Sequence, residues 1–533
     1  MSEPRPPAGP LLRNSIYTAI GRVAGLVVGI LVSPLLLESL GERHFGLWVL
    51  AYAVGHHLNV LSELGSGTAL TLAVSRGRAT GDTERIRRSL GCHLLWLGIA
   101  NLGVLLVAAL ILVPTARALE LAPDFHWRLD DPTLGLELLV LAIAGAILRP
   151  FGLAFDNLLQ GCERFDLHGR LAILRAALWL GLSVAAVKLG LGARGLLLAD
   201  MAVVLVLTLP GTWLALRELG VSAPSIPTRA ELTAHLRYGF GVYIPLVTEL
   251  LSSQTDKLIV GGALGPVLTK SYEFGQKVTL PARSALVILS QVLFPRVPGL
   301  IAEQGMEGLG RLHERAQRAL ALVSAGSFAV LAGLAPTALA AWLGPARVDE
   351  PMVLALRLLA LAYVLNLAGA VPIQLARGLD RLRVEIRAAL LFAVVGLILR
   401  IGLMAGFGFH GLLVGTALSA LGLFVYQLFA FAPVLGYAPL DHLRRTTLPG
   451  FIAAVVAGGL AYSLDLGLEV LGPIGAPAVL GSRGPALVRL ILVSTAILLL
   501  AGPVITTFGL VDDDILRRLR ARLSGASSEP GEA

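Results

Sequence analysis

Charge is scarce in this 533-residue chain, where Asp, Glu, Lys and Arg together make up 15% of the residues, against about 25% in soluble globular domains. Lysine is scarcer still: Lys188, Lys257, Lys270 and Lys277 are the only four. A phosphate-binding P-loop needs Gly-Lys followed by Ser or Thr. These lysines follow Val, Asp, Thr and Gln instead, so a P-loop ATPase is excluded. Cysteine is limited to Cys92 and Cys162, too few and wrongly spaced for a disulfide framework or a zinc site. No metal and no cofactor are expected.

What the chain has instead is hydrophobic length. Apolar residues make up 56% of it, and the mean hydropathy is +0.78. A bilayer-spanning helix needs roughly 20 apolar residues, because every backbone amide in hydrocarbon must bond within the helix. Stretches of that kind recur about fourteen times, at 16–37, 45–74, 90–113, 134–160, 171–189, 194–216, 239–262, 278–300, 317–343, 351–376, 387–405, 410–432, 448–464 and 485–510. The expected fold is therefore an all-α polytopic membrane protein. The first run is long and lacks a small-residue cleavage pattern, so it reads as a retained span.

Arginine orients the spans, since short loops rich in Lys and Arg stay in the cytoplasm. With the N-terminus inside, the inner segments hold Arg76, Arg78, Arg85, Arg87 and Arg88, then Arg164 and Arg170, Arg217, Arg229 and Arg237, Arg311, Arg315 and Arg318, Arg377, Arg381, Arg383 and Arg387, Arg444 and Arg445, and Arg517, Arg518, Arg520 and Arg522. The outer segments carry scattered single charges such as Arg43, Arg194 and Arg347. An even number of spans returns the C-terminus to the same side. The net charge of +8 lies at membrane edges, where it attracts anionic lipid. No soluble basic domain is left for nucleic acid. Asp512-Asp513-Asp514 reads as the acidic start of a basic amphipathic tail helix.

A weak repeat divides the chain. Leu40-Gly41 corresponds to Leu264-Gly265, and Gly161-Cys162-Glu163-Arg164 to Gly378-Leu379-Asp380-Arg381. Two six-span halves, 1–220 and 221–440, place these pairs at equivalent points, with 441–533 holding two further spans and a basic tail. Six is even, so the repeat is parallel. Such pairs surround a substrate path near the midplane and work by rocking one half against the other.

Polar groups inside the spans are the functional candidates, since a charge at the centre of a helix costs roughly 2.5–3.5 kcal/mol by insertion scales. The cations Arg22, Arg149, Lys257, Lys277, Arg283 and Arg357 are expected to converge on a water-filled chamber and to favour an anionic ligand, because guanidinium binds phosphate oxygens in a bidentate way. The alternative is that some snorkel or pair, Arg149 with Asp156 for example. Glu63 and Asp256 are candidate ion-coupling carboxylates, although Asp256 beside Lys257 reads equally as a self-neutralising pair. Arg400, near the outer end of its span, reads as an interface anchor. His56 and His57 point about 100° apart on a helix and suit interhelical hydrogen bonding better than a proton relay.

The opening stretch then becomes informative. Asn14-Ser15, Pro34, Leu40-Gly41-Glu42, Phe45-Gly46-Leu47-Trp48, Glu63-Leu64-Gly65 and Gly67 resemble the start of the polysaccharide-export and O-antigen flippases of the multidrug/oligosaccharidyl-lipid/polysaccharide (MOP) superfamily. Asp256-Lys257-Leu258-Ile259, Leu264-Gly265, Tyr272 and Phe294-Pro295 agree. The resemblance covers most of 11–440. It implies two six-helix lobes in a V around a cationic cavity, two extra C-terminal helices, a bacterial inner-membrane location, and movement of an undecaprenyl-diphosphate-linked glycan to the periplasmic leaflet. Arg22, Lys277 and Arg283 would then hold the diphosphate, and membrane lipids, a polysaccharide polymerase and chain-length machinery are the implied partners. The competing reading is a cation-coupled multidrug or metabolite exporter of the same superfamily. A membrane polymerase or glycosyltransferase needs external acidic residues on a substantial loop, whereas 38–44 is very short and Asp130-Asp131 reads as a turn before Pro132; an enzyme is not expected.

Overall fold

A computed structural model describes residues 8–115, 117, 133–221, 223–291, 293–294, 296–470 and 482–507. Asp130-Asp131 and Asp512 to Asp514 lie outside the described residues. The described chain is helical nearly throughout, with no strand among the described residues. Among the described residues, nine runs are long and apolar enough to cross a bilayer. Three of these are interrupted at a glycine, Ala8–Glu63 by Gly41 (φ 72°), Arg296–Gly333 by Gly305 (φ 64°) and Leu382–Ala430 by Gly408 (φ 58°), and the first and last are long enough on both sides to make two spans each. Adding Arg229–Ser253 with Thr255–Leu264, Pro266–Gln291 and Gly484–Thr507 gives the expected count of about fourteen.

Several expected loops are thus single glycines. Positive φ is costly for any residue with a Cβ, so a lone glycine suffices to break a helix where the sequence offers no polar loop. The second half of Leu382–Ala430 folds back on the first, as the glycines record. A Cβ on Gly411 would lie 2.0 Å from the Leu403 carbonyl oxygen, one on Gly415 2.9 Å from Arg400 Cα, and one on Gly422 2.9 Å from the Phe392 ring. Small residues let helix backbones approach in lipid, where association depends on packing and not on hydrophobic expulsion. That close approach explains Arg400. It is not an interface anchor: it is 2% exposed, and its Nε donates to the Gly396 carbonyl at 3.0 Å.

The repeat pairs adopt matching backbone. Gly41 (φ 72°, ψ 168°) and Gly265 (φ 94°, ψ 174°) share one conformation. Glu163 (φ 58°) and Asp380 (φ 57°) are both left-handed, which is uncommon outside glycine. Their surroundings match as well: the Arg164 and Arg381 amides donate to Leu159 and Ala376 carbonyls at 3.0 and 2.8 Å, and the Glu163 and Asp380 amides to Gln160 and Arg377 at 3.0 and 3.1 Å.

The chain forms two compact units, 1–273 and 274–533. In the first, Leu70, Phe155, Leu158, Leu207 and Ala215 form a buried core, and Gly46 allows the turn at Pro266 to touch the helix, since a Cβ there would lie 1.8 Å from the Pro266 carbonyl oxygen. In the second, Leu448–Val470 packs on Arg296–Gly333: a Cβ on Gly458 would meet the Ala329 carbonyl at 2.9 Å and one on Gly333 the Gly458 carbonyl at 2.6 Å. Leu209, Leu110, Val455 and Phe407 are each at least 70% exposed, the apolar outer surface expected of a protein solvated by lipid.

Candidate functional site

In the first unit the intramembrane polar groups gather in two places. Pro150 lies in the last turn of Leu134–Gly152, and Arg149 beside it forms an ion pair with Asp200 of Gly192–Leu219. The guanidinium also lies 5.7 Å from the Tyr52 ring centre, a cation–π distance. Tyr52, His56, Asn59, Arg149 and Asp200 border a crevice of about 30 Å³, room for about one or two waters. Asp200, not Asp156, is therefore the partner of Arg149. Asp156 accepts instead from Arg175 at 2.5 Å and lies 3.1 Å from His168.

The second gathering surrounds the break at Gln254. Lys257 pairs with Glu273 at 2.6 Å, Tyr272 donates its hydroxyl proton to Asp256 at 2.8 Å, and His57 Nε2 lies 3.3 Å from the Thr255 hydroxyl. Asp256 and Lys257 are thus not a self-neutralising pair, because consecutive helical side chains diverge and each finds a separate partner. His57 makes an interhelical contact of the kind its position suggested. Glu63 ends its helix half-buried, and the absence of a side chain at Gly67 makes room for its carboxylate beside the Asn157 amide.

In the second unit Arg283, about one and a half turns past Lys277 and beyond Pro281, donates from Nε to the Asn366 amide oxygen at 2.8 Å and lies 5.7 Å from the Tyr363 ring centre. Lys277 is half-buried on the same helix. Arg357 donates from Nε to the Ala332 carbonyl at 3.1 Å and lies 6.0 Å from the Tyr462 ring. Among the described residues it has no carboxylate partner. Arg22 lies on the first helix, with its side chain outside what is described.

Asn366 and Tyr363, which hold Arg283, carry no charge and so do not stand out among the ionisable groups; the amides Asn366 and Gln374 in the span 351–376 are the sequence signal for them. Equally absent from the sequence reading are the buried Ser66 hydroxyl, 2.9 Å from both His93 Nδ1 and His235 Nε2, and the stack of His313, Tyr437 and His442, with ring centres 4.3 to 5.2 Å apart.

This multi-pass helical membrane protein has the fold of the MATE transporters. A multidrug resistance MATE family transporter of the MOP superfamily, in an inward-facing conformation, is 16% identical, with 79% of this chain and 96% of that one covered at a TM-score of 0.51. A MATE crystallised with MaD5 is 18% identical, with 80% and 96% covered at 0.52. None of the curated proteins matches the chain. The chain belongs to the polysaccharide biosynthesis protein family, whose model matches residues 11–300, and so to the MOP exporter superfamily.

Proposed function

We propose that this protein is a flippase that carries an undecaprenyl-diphosphate-linked oligosaccharide from the cytoplasmic to the periplasmic leaflet of a bacterial inner membrane by alternating access, for surface polysaccharide synthesis. The observation that carries this reading is the polysaccharide biosynthesis family match over residues 11–300. The chemistry of the half-buried cations inside the spans supports it. Arg149 and Lys257 are matched by Asp200 and Glu273, so their charges serve mainly to hold helices together. Arg283 and Arg357 are positioned by neutral groups, Asn366 with Tyr363 and Ala332 with Tyr462. At Arg357, which has no carboxylate partner among the described residues, neutral positioning fixes the fork without cancelling its charge, which suits a diphosphate. Arg22 and Lys277 are further candidates for the same anion. Of the two coupling candidates, half-buried Glu63 suits proton or cation exchange better than Asp256, which is fully buried under the Tyr272 hydroxyl. Both termini are placed in the cytoplasm by the arginine bias.

The test is surface glycan display in a deletion strain complemented with wild type, Arg283→Ala or Arg357→Ala. Loss of display with lipid-linked precursor accumulating on the cytoplasmic side, rescued by wild type and not by the variants, is the expected result. Normal display with heightened sensitivity to cationic drugs would overturn it in favour of a multidrug exporter.

A further inference from the structure

The geometry points to a second site, separate from the cations above: a phosphate-binding pocket where helices Ser66–Thr80, Thr83–Val107 and Arg229–Ser253 meet at the membrane edge. A cavity of about 560 Å³ opens there within the first unit, well inside the size range of ligand pockets, about 300–1,000 Å³. Leu72 and Ala73 give it an apolar wall, and Arg76, Arg85 and Arg88 line it together with Asp82, Glu84 and Glu231.

Its three carboxylates are already committed. Glu84 accepts from Arg87 at 3.2 Å and Arg88 at 3.0 Å. Glu231 accepts from Arg88 at 2.9 Å and from the Thr228 amide at 2.7 Å. Asp82 caps its helix by accepting the Arg85 amide at 2.9 Å. The guanidinium groups of Arg76 and Arg85 lie exposed at the mouth, and neither has a hydrogen-bond or ion-pair partner among the described residues. Two unpartnered forks at the mouth form a donor set for phosphate oxygens. The adjoining apolar wall suits a phosphate attached to a hydrophobic body.

The linker is anchored to the Thr83–Val107 helix, which forms one side of this pocket. The Ser225 amide donates to the Arg87 carbonyl at 3.0 Å, and Arg87 Nε returns a bond to the Ala223 carbonyl at 3.0 Å. A Cβ on Gly91 would meet the Ser225 carbonyl oxygen at 1.9 Å. Behind the pocket, Ser66 ties His93 to His235, and a Cβ on Gly65 would lie 2.3 Å from the Gly239 carbonyl oxygen. The walls are therefore fixed by backbone contact, and a ligand need not order them.

A phosphate of this kind comes from either a membrane phosphodiester or a soluble phosphate compound. The full-length protein is placed in nanodiscs of phosphatidylcholine, with and without phosphatidylglycerol. Native mass spectrometry counts retained phosphatidylglycerol, and thermal melting in phosphatidylcholine alone reads titration with inorganic pyrophosphate. Three proteins are compared: wild type, Arg76→Gln/Arg85→Gln, and the charge-matched control Arg217→Gln/Arg229→Gln, whose arginines do not line the pocket. The expected result is a loss of at least about tenfold in the affinity for one probe in the pocket variant, with less than about twofold change in the control. Loss confined to phosphatidylglycerol assigns the pocket to a lipid headgroup, and loss confined to pyrophosphate assigns it to a soluble phosphate. Equal loss in both variants, or none in either, overturns the site. The single variant Arg85→Gln, compared with Arg229→Gln, repeats the test should the double variant fold poorly.

Discussion

Arg149 and Arg283 show how a buried cation's role depends on its partner. Removing one member of a buried ion pair leaves the other uncompensated, which costs about 3–5 kcal/mol for a dry pair. The Arg149 and Asp200 side chains retain 29% and 22% exposure, so the expected cost is nearer about 1–3 kcal/mol. Asp200→Ala should therefore lower the melting temperature in detergent clearly, and adding Arg149→Met should recover much of the loss. A double variant as unstable as the sum of its parts would contradict this structural role. Conversely, Arg283→Lys should keep stability but lose most transport, because a lysine supplies charge without the bidentate fork. Glycan display alongside detergent melting checks both halves of that expectation. That charge lies inside the spans was legible in the sequence, because it is conspicuous in an apolar run, but its depth was not: Lys270 and Arg400 are the fully buried cations among the described residues, and Arg149, Lys257, Lys277, Arg283 and Arg357 are half-buried. Nor were the partners legible: Asp200 lies 51 positions from Arg149 and Asn366 83 from Arg283, and only helix packing brings them together.

At the level of helices and turns, glycine decides where the chain bends and how closely helices approach. Gly46→Ala should destabilise strongly, since the new methyl would overlap the Pro266 carbonyl oxygen, whereas Gly25→Ala, with nothing within 4 Å of the added carbon, should be neutral or slightly stabilising. Melting of the two variants in one detergent separates them. The linker carries a further expectation. Thr228 and Glu231 form a capping box, and hydrogen bonds from the Thr228 amide, Arg88 and the Thr228 hydroxyl hold the Glu231 carboxyl down at about 2, below its usual 4.5. Because the folded value is depressed, this contribution is complete above pH 4.5 and is lost as pH falls through about 2. Glu231→Gln at neutral pH should reproduce that loss as faster amide exchange over 223–231, and unchanged exchange would contradict it. The breaks at Gly41 and Gly265, and the paired turns at Glu163 and Asp380, were legible as repeated dipeptides and tetrapeptides. Their tightness was not, since only positive φ reveals that a loop of expected length is a single residue.

For the molecule as a whole, apolar length and arginine bias carry most of the architecture. The spans follow from backbone hydrogen bonding in hydrocarbon, which leaves few alternatives to helices, and so the all-helical fold and about fourteen crossings could be read without coordinates. The arginine bias makes its own prediction. Reporter fusions after 163, 224 and 380 should report a cytoplasmic location and a fusion after 347 a periplasmic one; the reverse pattern would contradict the proposed orientation. The central claim is transport of a lipid-linked diphosphate. It is tested most directly by reconstituting the purified protein in vesicles with a fluorescent undecaprenyl-diphosphate-linked oligosaccharide and measuring its arrival in the opposite leaflet. Wild type should move it at a rate that falls at least about tenfold in Arg283→Ala, whereas equal leaflet exchange in wild-type, variant and protein-free vesicles would contradict the account.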